Sequence, residues 1–391
     1  AELDPKLADY IDSETNHAEI AAEFIISDAD IFYEVGYHVL LVKTDSGVCI
    51  NREYLNCAIT QNGSRSNKNI FMDYQRSDSE RIFKPRKRLD ELISQDKNLL
   101  TDLIVARKMA EKSNCSYIFG ETSREIFKQT HDTDFKNYSF VIYALFGFAL
   151  RDLFVIRNTH SGMISANFIL PMAFRIDKEQ TGAKGEFAIP LKEPVTLDQE
   201  GKDLLEVIVS QINTVLYTIV PGMSIEMRNY GKQALNSGED GWKVEPMSIR
   251  PGHKPLPIRM ESEGIIKIIS ILNALIQAFG NPSICLVIDE LDAGIFELLD
   301  IFQNNAKGEL IFTSHNLRAL EMLDKESIMF STANPENRYI HMKNVKGSNN
   351  LRSTYIRSIT LGGQDEIIYE ETDSLEIARA FRKAGRSVRN G

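Results

Sequence analysis

Two adjacent carboxylates, Asp289 and Glu290, end a short apolar run in the segment Ser283-Ile-Cys-Leu-Val-Ile-Asp-Glu-Leu-Asp-Ala-Gly294. Residues 284–288 show no polar side, which suits a parallel strand covered on both faces. Open α/β sheets keep their chemistry at the carboxyl ends of such strands. Two acids in series at that tip suit nucleotide hydrolysis, because the first can hold Mg²⁺ while the second polarises a water aimed at a phosphate. The competing reading is structural: many buried strands end in an acid that caps the next helix.

Two neighbouring segments bear on that choice. Upstream, Arg259-Met-Glu-Ser-Glu-Gly-Ile-Ile-Lys-Ile-Ile-Ser-Ile-Leu-Asn-Ala-Leu-Ile-Gln-Ala-Phe279 opens a long apolar helix with a Ser-x-Gly turn. A helix starting at Ser262 and Gly264 presents free backbone N–H groups and a positive dipole end to an anion. A plain serine N-cap followed by glycine is the structural alternative. Downstream, Glu309-Leu-Ile-Phe-Thr-Ser-His-Asn316 reads as a second strand that brings His315 to the end neighbouring the carboxylates.

The ordered set of Ser-x-Gly helix, strand ending Asp-Glu-Leu-Asp and strand ending Thr-Ser-His-Asn resembles the ATP-binding-cassette (ABC) ATPases. It looks most like the branch that holds chromosome-maintenance (SMC) and recombination-repair ATPases, OLD-type nucleases and the ABC-like AAA ATPases of bacterial phage-defence operons. The resemblance covers about residues 256–320. It implies an α/β fold, an ABC-ATPase-like head of mixed sheet with flanking helices, here carrying a helical insertion. It further implies that Ser262 and Gly264 touch a γ-phosphate, that Asp289 is the Walker B metal ligand, Glu290 the catalytic base, Asp292 part of the D-loop and His315 the switch histidine. ATP and Mg²⁺ are the implied cofactors.

The chain departs from that pattern in two places. No P-loop of the form G-x-x-x-x-G-K-[ST] occurs in the 391 residues, and the nearest imitation, Asn62-Gly-Ser-Arg-Ser-Asn-Lys-Asn69, lacks the second glycine and the Lys-Ser/Thr pair, so it reads as a loop between strands. The expectation is a P-loop segment upstream of Ala1; the alternative is a degenerate ATPase kept as a scaffold. The crossover after the D-loop, residues 294–307, is also short, enough for about three helical turns where the resembled family usually has more, so either it is genuinely short or residues are absent there. Thr360-Leu-Gly-Gly-Gln-Asp365 imitates an ABC signature but follows the histidine, out of order, and reads as a turn.

Three regions are expected. Residues 1–75 read as strands of an N-terminal ATPase lobe, with a hairpin turning at Asp45-Ser-Gly47; 76–160 as a helical insertion; and 161–391 as the lobe with signature, Walker B, D-loop and histidine. The insertion is too short for a coiled-coil arm. A net charge of −10 argues against an overall nucleic-acid coat, although Arg81, Lys84, Arg86, Lys87 and Arg88 form a local basic cluster that could meet a phosphate backbone. The four cysteines lack C-x-x-C spacing, and the other six histidines are too scattered for a metal site. The apolar run at 140–150 is stopped by Arg151-Asp152, so no membrane span is expected, and the location expected is cytoplasmic.

Because a signature serine of the resembled family serves the nucleotide of another head, the partners implied are a second copy in a head-to-head dimer, or a higher homo-oligomer. No nuclease, methyltransferase or toxin motif is evident in the rest of the chain. The resemblance to phage-defence ATPases therefore implies a separate effector, a nuclease or toxin. A DNA-repair or maintenance ATPase is the other enzymatic alternative.

Overall fold

The computed structural model describes residues 5–11, 15–45, 47–94, 96–128, 133–166, 168–178, 181–235, 237–291, 296–332, 334, 336–343, 351–361, 364, 366–368 and 373–387. The chain divides into two units, Ala1–Leu150 and Arg151–Gly391.

In the first unit, β1 (His17–Asp28), β2 (Ile31–Thr44), β3 (Gly47–Gln61), β4 (Ser64–Arg65) and β5 (Asn69–Gln75) form an antiparallel sheet in which β4 and β5 both pair with β3. The expected hairpin is present, and its turn closes at Gly47, whose φ of 121° a side chain would resist. Helices α1 (Arg86–Ile93), α2 (Asn98–Ser113), α3 (Glu121–Lys128) and α4 (Thr133–Gly147) follow. Sheet residues Tyr33, Val35, Leu55 and Met72 share one core with Leu92, Leu103, Phe127 and Ile142 of the helices. Buried Glu53 of β3 accepts from Tyr37 Oη at 2.6 Å, Ser116 Oγ at 2.5 Å and the N–H groups of Tyr117 and Ile118 at 2.9 and 3.1 Å. This carboxylate ties sheet to helical layer.

The second unit contains β6 (Leu153–Ile156), α5 (Asn158–Ser165), the hairpin β7 (Ile169–Lys178) and β8 (Thr181–Pro190), β9 (Val195–Leu197), α6 (Gln199–Ile219), β10 (Ser224–Ala234), β11 (Asp240–Ile249) and β12 (Leu256–Pro257). It continues with α7 (Glu263–Gly280), β13 (Cys285–Ile288), α8 (Phe296–Asn305), β14 (Glu309–Phe312), α9 (Ala319–Met322), β15 (Phe330–Ser331), β16 (Tyr339–Ile340), α10 (Leu351–Leu361) and α11 (Ser374–Ser387). Strand β13 lies between β14 and β6, parallel to both, with Ile288 level with Phe312 and Ile156. Its Cys285, Leu286 and Ile288 are buried, as a strand covered on both faces requires. Among the described residues the crossover to β14 holds one helix, α8, of 10 residues. Among the described residues the parallel ladder and the antiparallel strands belong to separate sheets rather than one mixed sheet.

Helix α7 is apolar on nearly every side because it lies between two cores. Ile268, Ile271, Ala274 and Leu275 pack with the parallel sheet, whereas Ile266, Ile269 and Leu272 pack with α6 and the β7–β8 hairpin. It is the one described helix long and apolar enough to cross a membrane by length and composition, and this two-sided burial accounts for that composition.

Candidate functional site: a carboxylate pair and a histidine at the strand ends

Asp289 and Glu290 follow β13 directly, and His315 lies three residues beyond the end of β14. Because the two strands run parallel and in register, their tips deliver these side chains to one place. His315 Nε2 stands 4.0 Å from Glu290 Oε1. Asp289 is exposed and Glu290 half-buried.

Thr313, the first residue past β14, organises the pair. Its Oγ1 donates to Asp289 Oδ1 at 2.6 Å and accepts the Glu290 N–H at 2.8 Å. Its carbonyl accepts the Leu291 N–H at 2.8 Å. Glu290 itself has a φ of 55°, in the left-handed region. For a non-glycine residue that conformation costs about 1–2 kcal/mol and recurs at functional sites. From α7, Lys267 Nζ donates to the Glu290 carbonyl at 2.8 Å.

Ser262 caps α7, its Oγ accepting the Ile265 N–H at 3.4 Å. Gly264 sits exposed in the first turn, where an added Cβ would meet nothing within 4 Å, so packing alone does not require glycine there. The turn is anchored to β11 and to Arg250, the residue after it, by two crossed ion pairs. Arg250 bonds Glu261 at 2.8 Å while Glu245 accepts from Arg259, and Ser248 Oγ adds a 2.5 Å bond to Glu261. Burial opposes ionisation of Glu261, but the bonds from Arg250 and Ser248 outweigh it and hold the carboxyl below its usual range. Glu245 is held low in the same sense, burial again opposed by the bonds from Tyr230 and Arg259. Glu263 accepts from Ser165 Oγ of α5. The two acids flanking Ser262 are therefore tied back into the protein.

The structure brings Asp289, Glu290 and His315 together. Ser262 and Gly264 occupy the start of α7, joined to that group by Lys267, while Asp292 lies outside the described residues, as do Gly362 and Gly363 of the misplaced Gly-Gly. Sequence reasoning passed over Lys267 and Thr313. The signal for Lys267 was present: it is the one charged residue between Gly264 and Gly280. No group of three or more metal-type side chains is found among the described residues. One exposed carboxylate beside a hydroxyl fits Mg²⁺ only as carried by a nucleotide, since that ion commonly takes one or two protein carboxylates and otherwise phosphates and water. In the basic cluster, Lys84, Arg86, Lys87 and Arg88 are each paired with a carboxylate, at 3.5, 3.7, 3.7 and 2.8 Å. Those partners blunt the patch as a phosphate track.

No family model matches this chain, and no curated protein matches it. Among solved structures it is similar to the Smc head domain with an extended coiled coil from Pyrococcus furiosus, bound to the C-terminal domain of ScpA. That similarity stands at 12% identity over 73% of this chain and 71% of the other, with a TM-score of 0.22. A score so low does not establish a shared fold, and the class defined here is mixed α/β with a parallel three-stranded ladder at the site.

Proposed function

We propose that this chain is the head of an ABC-type, SMC-like ATPase that binds and hydrolyses ATP between two copies. The observation that carries the reading is the convergence of Asp289, Glu290 and His315 on adjacent parallel strand ends, with Thr313 fixing the first two. When bound with nucleotide, Mg²⁺ would be held by Asp289 and would neutralise charge developing on the phosphates. Glu290 takes a proton from the attacking water. His315, within reach of Glu290, orients that carboxylate and the γ-phosphate. Ser262 and the open N-terminus at Gly264 serve the γ-phosphate held by the second copy, and Asp292 is assigned to the D-loop.

This reading is conditional on a P-loop, a motif that the 391 residues do not contain. ATP acts as interfacial glue, and hydrolysis opens the dimer, which makes the protein a nucleotide-driven switch or sensor. The wider proposal is a cytoplasmic role in anti-phage defence with a separately encoded nuclease or toxin as effector. The test is ATP turnover and sedimentation of the full-length protein with and without Mg²⁺. Mg²⁺-dependent turnover with ATP-dependent dimers supports the proposal. Assembly that ignores nucleotide and survives Asp289→Ala would favour the scaffold alternative instead.

A further inference from the structure

The Glu290 peptide is gripped from both of its ends. We propose that Thr313 and Lys267 are positioning residues for Glu290, and that Lys267 is the contact through which helix α7 and the carboxylate loop move together. The proposal rests on the ATPase reading above.

A non-glycine residue keeps a left-handed conformation only where its surroundings over-determine it. At Glu290 they do so twice: the N–H goes to Thr313 Oγ1 and the C=O receives Lys267 Nζ, each at 2.8 Å. The threonine proton is directed to Asp289 Oδ1, so one hydroxyl sets the aim of both acidic residues. Valine has the same shape and can make neither bond, whereas serine can make both.

Lys267 adds the link to the far side of the dimer. Its ammonium has no carboxylate within ion-pairing distance among the described residues and is directed instead at a backbone carbonyl. It stands five residues after Ser262 on one continuous helix. A shift of the α7 N-terminus on gripping the partner's γ-phosphate is therefore carried, through a lysine side chain, to the peptide that aims Glu290 at the chain's own nucleotide. Each head would report occupancy of one composite site to the other.

The test combines steady-state ATP hydrolysis with hydrogen exchange at the Glu290 and Leu291 amides in the full-length protein. Leu291 is an internal control, because its N–H goes to the Thr313 backbone carbonyl and survives side-chain replacement. Thr313→Val is expected to lower kcat about 30- to 100-fold with KM within about twofold, the signature of a misaimed group. Exchange at Glu290 should quicken at least about tenfold while Leu291 holds, and Thr313→Ser should restore both readouts to within about threefold. In the wild type, ATP-driven dimerisation should slow exchange at Glu290, and in Lys267→Met it should not; no slowing in a wild type that dimerises would overturn the coupling. Unchanged Glu290 exchange and kcat in Thr313→Val would overturn the clamp, and a wild-type slowing retained in Lys267→Met would overturn the coupling. A wild-type protein that turns over no ATP sinks the ATPase reading and the catalytic half of this proposal with it. The exchange data still decide whether the clamp exists.

Discussion

His315 and Glu290 face each other at 4.0 Å from the tips of adjacent parallel strands, and the pair is open to water, with 86% of the histidine side chain and 38% of the glutamate side chain exposed. An exposed contact of that kind contributes little to stability. If it matters, it matters to chemistry. His315→Ala is expected to change unfolding free energy by no more than about 0.5 kcal/mol and to lower kcat about 100-fold. Urea unfolding and turnover on the same sample separate the two effects, and a variant that loses stability but keeps its turnover would remove the histidine from the mechanism.

Glu290→Gln keeps the shape and both backbone bonds of the residue, because Thr313 and Lys267 hold its peptide rather than its carboxylate. The amide cannot take a proton from water. Turnover should fall about 10²- to 10⁴-fold while ATP-dependent dimers persist or lengthen in lifetime, read by sedimentation after ATP addition. Turnover within a few-fold of wild type would show that another group is the base.

How the site could be read from the sequence differs from residue to residue. The strand ending at Asp289 was legible because a strand buried on both faces has to be an uninterrupted apolar run, whereas the segment between β13 and β14 showed only room for about three helical turns, which α8 occupies with ten residues. The adjacency of His315 followed from parallel order. Thr313 was not legible in its role: a hydroxyl that bridges two residues 23 and 24 positions away in sequence leaves no periodic trace. The left-handed Glu290 was hidden for the same reason, since glycine would have announced it and glutamate does not. The crossed Arg–Glu pairs under the Ser-x-Gly turn depend on how β11 passes that turn, which local pattern does not encode.

Gly264 separates fold from function cleanly. It lies in the first turn of α7 with open space where a Cβ would go, and alanine there should raise stability by about 0.5–1 kcal/mol through lower unfolded-chain entropy and better helix propensity. The same methyl group would crowd a phosphate approaching the helix N-terminus. A higher melting temperature with loss of ATP-dependent dimers is the expected result for Gly264→Ala, and a stabilised protein with intact dimers and turnover would relieve Gly264 of its assigned role.

Glu53 in the first unit titrates the opposite way from the anchors of the site. Burial raises its carboxyl above the usual range, even though Ser116, Tyr37 and two backbone N–H groups favour the charged form. A raised folded pKa contributes stability that is complete below the ordinary value of 4.5 and declines as pH rises through the folded value. Glu53→Ala, which leaves the Tyr117 and Ile118 N–H groups buried without their acceptor, should cost about 3–5 kcal/mol by urea unfolding. A cost under about 1 kcal/mol would mean that this layer contact does not depend on the carboxylate.

Glu261 and Glu245 should govern how the Ser-x-Gly turn responds to acid. Both carboxyls sit below the ordinary 4.5 in the fold, so as pH falls the unfolded chain takes up their protons first. Their contribution is therefore complete above about pH 4.5 and is lost as pH drops through the lower folded values. Neutralising one pair on both sides, Arg250→Met with Glu261→Gln, avoids stranding a charge. Between about pH 5 and pH 3 the urea midpoint of this double variant should fall less than that of the wild type. Parallel curves would assign the acid sensitivity elsewhere. If the turn is also what seats a phosphate, ATP-dependent dimers of the wild type should come apart in the same acid interval, while Lys267→Met leaves that interval where it was.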